Sequence, residues 1–325
     1  MSRLLSPAMK KVPEIFNPVR DSRGVVLLMV LFVIVLLVSL VVEFDYQTRI
    51  ELKSSLRHAD SEKSVFLARS GLLAGEEILR QSLSSDYDGP DQMWAREVPE
   101  YPVGEGAVSL QIGDESGKIN LNQLNQGQSA RAPFEGQIRK LFQILQVEDH
   151  LVDEIVAWMA CDNSFYYQSL RPPYSCRKNQ PMEALSDLRL VRGVTDEIYN
   201  RVSPYLTVYP KAAASTCKIN VNTADRIVLQ TLYYKQGNDY LFDIAPGIAD
   251  EMIRARPVKS ANDLAAIPGL KSIGDALKLF SADVKSQFFT IAATGSVHGV
   301  RKTMTETISR PPKAGKISRY FTRLD

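Results

Sequence analysis

Ser22-Arg23-Gly24-Val25-Val26-Leu27-Leu28-Met29-Val30-Leu31-Phe32-Val33-Ile34-Val35-Leu36-Leu37-Val38-Ser39-Leu40-Val41-Val42-Glu43 is the stretch on which the reading of this chain turns. Between Val25 and Val42 it carries no charge, and Val, Leu, Ile, Phe and Met fill nearly every position. An apolar run of this length spans a bilayer core with little tilt. Ahead of it, Arg3, Lys10, Lys11, Arg20 and Arg23 outnumber Glu14 and Asp21, so the positive-inside rule keeps residues 1–24 in the cytoplasm and exports the chain beyond Glu43. A cleaved secretory signal has a shorter apolar core with small residues at the cut, and neither is present. An uncleaved signal anchor fits the hydrophobicity equally well.

The junction Arg23-Gly24-Val25 separates these readings. A Gly between a basic residue and an apolar run resembles the type III signal of the type IV pilin and pseudopilin superfamily. That resemblance implies cleavage by a prepilin peptidase between Gly24 and Val25, with N-methylation of Val25. Val25 stands where pilins usually have Phe, and Met29, the fifth residue after the cut, stands where they usually have Glu. In pilin fibres that Glu is held to neutralise the buried amine of the next subunit, because an unpaired charge in apolar surroundings is costly. Met29 offers no carboxylate, which suits the top of a fibre; the alternative is that Met29 is simply a lipid-facing apolar residue.

Past Glu43 the apolar residues Leu52, Leu56, Val65, Ala68, Leu72 and Leu79 continue mostly at steps of three and four, predicting a helix from Val25 to about Leu83 that is roughly 90 Å long. Turn residues from Ser84 to Pro90 end it. Ala107–Ile112 alternates as a strand does, with a turn at Asp114–Gly117, and residues 288–295 and 301–310 read as two strands joined around His298-Gly299. Between these β parts the pattern is mainly helical. The fold expected is therefore α+β: a pilin-like long N-terminal helix packed on a small antiparallel sheet, with a large all-α insertion. The organisation is a leader over 1–24, a transmembrane part over 25–43, the periplasmic helix and first part of the pilin-like domain over 44–117, the insertion over 118–285, and closing strands over 286–325.

The insertion repeats itself. Lys118-Ile119-Asn120-Leu121-Asn122 recurs as Lys218-Ile219-Asn220-Val221-Asn222, and Asp187-Leu188 with Val191 and Gly193 recurs as Asp263-Leu264 with Ile267 and Gly269. The first copy is longer by a loop from about Trp158 to Pro181. Together, Ala245-Pro246-Gly247-Ile248, Ile267-Pro268-Gly269-Leu270 and the stretch 219–225 resemble helix-hairpin-helix modules, whose turns offer backbone N–H groups to DNA phosphates. A membrane-anchored DNA-binding protein of an uptake system is thus the competing reading. Against it, Asp243, Asp250, Glu251 and Asp263 dilute Arg254, Arg256 and Lys259, and the whole chain, with 39 basic and 37 acidic residues, lacks the strong field that attracts polyanions. No nucleic-acid partner is expected; the bland reading of the turns is a compact helical scaffold.

Trp158 to Asp162, Pro172-Pro173-Tyr174, Asn179-Gln180-Pro181 and Leu188 to Gly193 resemble the type II secretion system protein K family, the largest minor pseudopilins. With the leader and residues 218–225, the likeness touches most of the chain in order. It implies a non-enzymatic subunit that forms or caps the tip of the periplasmic pseudopilus and helps initiate its assembly. Its partners would be other minor pseudopilins, the pseudopilus, prepilin peptidase and the inner-membrane secretion platform. Members of the family can bind calcium near a Trp-x-Asp-x-Asp pattern; here Asp162 is kept but Ala160 replaces the first Asp, and calcium favours several oxygen ligands, so no cofactor is required and Asp162 reads equally as a solvated loop residue. Cys161 and Cys176 bracket the loop in a compartment that permits disulfides and are expected to pair, which would stabilise by about 3 kcal/mol. Cys217 is then left over, and two other pairings remain open. Catalysis finds no support: no nucleophile elbow, no paired metal-binding His and Glu, and no P-loop occurs.

Overall fold

A computed structural model describes residues 22–161, 180–211, 218–236, 239–242, 244–271, 281–310 and 317–324. The chain divides into two compact units, 1–59 and 60–325. Helix α1, Ser22–Gln81, contributes to both. No proline lies between Pro18 and Pro90 to interrupt it, and pairs one turn apart, such as Gln47 to Glu43 at 2.9 Å and Arg49 to Asp45 at 2.9 Å, line its polar part. Within the first unit, the side chains from Val25 to Val42 are exposed along the whole apolar run, as expected of a helix whose solvent is lipid.

The second unit holds the sheet. Strands β1 (Val98–Val103) and β2 (Gly106–Asp114) precede the insertion. Inside it lie the short strands β3 (Ile119–Asn120), β4 (Leu206–Thr207), β5 (Ile219–Asn220), β6 (Tyr234–Gln236), β7 (Asp239–Leu241) and β8 (Ala282–Asp283). After it come β9 (Phe288–Val297), β10 (Val300–Ser309) and β11 (Ser318–Leu324). The main sheet runs β1-β2-β9-β10-β11 and is antiparallel throughout. Because β2 pairs with β9 from Gly106↔Val297 to Asp114↔Phe289, the insertion leaves the sheet and returns to it at neighbouring positions. The expected turn between β9 and β10 is present: His298 (φ 47°) and Gly299 (φ 83°) form the two-residue loop whose twist suits a tight hairpin.

Alternation along β9 presents Phe289, Ile291 and Ala293 to one side, where Leu72 and Leu79 of α1, Trp94, Leu110, Ile112 and Ile308 join them in one core. The rings of Trp94 and Phe289 meet edge to face at 5.1 Å. Close approach of α1 depends on small residues. A methyl group added at Gly295 would lie 2.1 Å from the Ser64 carbonyl oxygen, and one at Gly75 would lie 2.7 Å from Ile291. Ser64 Oγ donates to the Val300 carbonyl at 2.9 Å, joining the helix to the hairpin.

A second core, running from Ile119 to Phe288, fills the insertion. Helices α2 (Gln128–Ile144) and α3 (Leu151–Ala160) supply Ile138, Leu141, Phe142, Ile155 and Met159 to it. Where the sequence reading expected an all-α insertion, the helices are accompanied by three two-stranded pairings, β3 with β4, β5 with β8, and β6 with β7. Bridges of two or three residues are too short for a period of two to register in a sequence.

Candidate functional site

The residues singled out from the sequence fall into separate places. In the first unit, Gly24 and Val25 lie in the opening turns of α1, with open space around Gly24. Val25 is 52 % exposed and Met29 65 %. In the second unit, Cys161 ends α3 in a left-handed conformation and is disulfide-bonded. Its partner lies outside the described residues, as do Cys176, Cys217 and Asp162. Among the described residues, no cluster of three or more His, Cys, Asp or Glu is placed to hold a metal ion.

The repeated Ile-Asn-x-Asn segments make matching contacts. Asn122 Oδ1 accepts from the Met182 N–H at 2.7 Å while its Nδ2 donates to the Met182 carbonyl at 3.2 Å. Asn222 does the same to Val258, at 2.7 and 2.9 Å. Asn120 and Asn220 each accept from the backbone N–H two residues on, at 2.9 Å. Each buried amide thus staples a distant extended segment that leads into the Asp187 or Asp263 turn, satisfying main-chain groups that water cannot reach. Sequence reading registered the repetition but not its role; the signal was an Asn alternating with apolar residues at positions otherwise fit only for a core.

The first asparagine of each copy diverges. Asn120 Nδ2 donates to the Pro210 carbonyl at 2.9 Å, whereas Asn220 Nδ2 reaches out of the insertion to the Asp88 carbonyl at 3.0 Å and Ser286 Oγ at 2.7 Å. There the end of α1, the ends of β2 and β10, and the second copy converge on polar groups. Arg310 donates to Asp88, to Ser82 Oγ at 2.6 Å and to the Ser286 carbonyl at 3.0 Å, and its guanidinium lies 4.7 Å from the Phe289 ring centre. This joint is not legible in the sequence, since its members are spread from position 82 to position 310.

The hairpin turns bear on the DNA-binding alternative. The Gly269 N–H, which that reading would aim at a phosphate, donates at 3.0 Å to Glu251 of the same chain. Two nearby arginines are also engaged within the chain. Arg226 grips Asp250 with two bonds at 2.5 and 2.9 Å, and Arg256 donates to the carbonyls of Val221 and Ala224. A carboxylate already occupies the anion position of this turn, which supports the scaffold reading.

Comparison with known proteins agrees with this architecture. The family described as type II secretion system (T2SS), protein K, matches residues 117–211. The type II secretion system protein K of Aeromonas hydrophila is 26 % identical over 329 residues, covering 90 % of this chain and 94 % of that protein. Its counterpart from Pectobacterium carotovorum subsp. carotovorum is 30 % identical over 226 residues, covering 62 % of this chain and 66 % of that protein. A solved GspK-GspI-GspJ complex of the type 2 secretion system of enterotoxigenic Escherichia coli contains a chain of the same fold, with a TM-score of 0.65 at 20 % identity over 86 % of this chain and 99 % of that one. With likeness along nearly its whole length, the chain belongs to the type II secretion system protein K family, the minor pseudopilins of that export machinery.

Proposed function

We propose that this minor pseudopilin forms the tip of the periplasmic pseudopilus and helps to begin its assembly. It would be anchored in the inner membrane by α1, with its N-terminus cytoplasmic and its sheet and insertion periplasmic. Met29 carries the proposal. After cleavage at Gly24 it is the fifth residue, so the subunit has no carboxylate to give the amine of a subunit above it, while its own amine at Val25 can be met from below. The insertion adds bulk that suits a cap. The partners are other minor pseudopilins, as in the solved GspK-GspI-GspJ complex, together with prepilin peptidase and the inner-membrane platform. They would pack against the outer face of α1, where Phe66 and Leu73 are exposed seven residues apart on one side of the helix. The part played is structural, not catalytic.

Cysteine crosslinking along α1 in membranes that also hold the other pseudopilins tests this. A single neighbour, always on the lower side, is expected for the native chain. Crosslinks to subunits both above and below would place the chain inside the fibre and remove the tip assignment.

A further inference from the structure

The place where the insertion leaves the sheet is electrostatically unbalanced. Among the described residues, two carboxylates, Asp88 and Asp114, meet one guanidinium there, and Arg310 is committed to Asp88. Among the described residues, Asp114 is met by neutral donors: the Ser116 N–H at 2.7 Å on Oδ1, and on Oδ2 the hydroxyl of Ser286 at 2.5 Å, that of Thr223, and Asn220 Nδ2 at 3.3 Å. Ser286 also donates its N–H to Asp88 Oδ2 at 2.8 Å, so one residue bridges both acids. Asp88 Oδ1 is buried without a hydrogen-bond partner among the described residues.

Other charges nearby are engaged elsewhere. Glu115 faces Lys118, Thr207 and Thr290. Asp283 of β8 accepts from the Val284 N–H. Burial pushes the Asp114 carboxyl up to about 6; the Asp88 charge adds to this, and the hydrogen bonds from Ser286, Thr223 and Ser116 oppose it.

We propose that Asp114 is a proton-operated clasp between the sheet and the insertion. With Asp114 neutral, the joint holds one carboxylate against one guanidinium. With Asp114 ionised, a second negative charge sits in the joint without a cation of its own, and the attachment of Asn220, Thr223 and Ser286 to the sheet loosens. Because the folded value lies above the unfolded one, the stabilisation is complete below the unfolded value of about 4 and is lost as pH rises through about 6. The insertion is therefore held more firmly in acid than at neutral pH.

Hydrogen exchange of the full-length chain in detergent, corrected for intrinsic rates and followed from pH 4 to 7.5, tests this. Protection of the Asn220, Thr223, Ser286 and Gln287 amides should fall by up to about tenfold per pH unit from about pH 4 upward and level off around a midpoint near 6. Asp114→Asn should flatten the profile. Thr223→Val, which deletes a donor that favours the carboxylate, should move the midpoint upward, a response that a merely structural contact would not give. Protection independent of pH, an unchanged profile in Asp114→Asn, or an unmoved midpoint in Thr223→Val would overturn the proposal; the last remains decisive if Asp114→Asn does not fold.

Discussion

Asn122 and Asn222 each tie two distant segments of the insertion together. Each satisfies both the N–H and the carbonyl of one buried residue, Met182 or Val258, and truncation leaves those groups unpaired in a dry interior. Asn222→Ala should therefore destabilise the second unit by about 3 kcal/mol, and Asn222→Asp by a similar amount because the donor is lost. Chemical denaturation of the full chain, monitored by tryptophan fluorescence, measures this. A loss under about 0.5 kcal/mol, the range of ordinary surface substitutions, would show that the staple carries no weight. The role was hidden in the sequence because Asn is a turn residue by habit, and only its recurrence after Ile119 and Ile219 in the same frame hinted that it was needed inside.

Among the elements, α1 and the β9–β10 hairpin were the most legible. The helix announces itself by an uninterrupted apolar run and the absence of proline, the hairpin by alternation on either side of His298-Gly299. Strands β1 and β11 escaped for opposite reasons. Strand β1 contains Pro99 and Pro102, which argue against a strand anywhere but at an edge. In β11 all seven residues are exposed, so no buried face imposes a period. What the pattern could not show was how near α1 comes to β9. Gly295 sits under the Ser64 carbonyl with no room for a side chain, so Gly295→Val should cost at least about 3 kcal/mol by forcing helix and strand apart, read as a lowered midpoint of thermal unfolding. Gly113, which has open space over it apart from one backbone oxygen at 3.9 Å, provides the control: Gly113→Ala should be close to neutral. Equal effects at both glycines would show that close approach is not what selects glycine at position 295.

For the whole molecule, the plan of an apolar anchor, a sheet interrupted by an insertion, and a return to the same sheet could be read from the order of patterns along the chain. The joint could not, since Ser82, Asp88, Asp114, Asn220, Ser286 and Arg310 meet only after folding. The family places the chain in the export machinery, and the proposed tip position there rests on Met29. Met29→Glu supplies the carboxylate that an interior subunit would need, so it should permit a further pseudopilin to be crosslinked above this chain; no new crosslink would leave Met29 as a lipid-facing residue without a role in order.

Assembly as a pseudopilin is tested most directly at the mature N-terminus. Intact mass and N-terminal sequencing of the full chain, produced together with prepilin peptidase, should give a protein beginning at N-methylated Val25, and Gly24→Ala should abolish that processing. A chain that starts at Met1 in both cases would contradict assembly as a pseudopilin and return α1 to the role of a plain signal anchor.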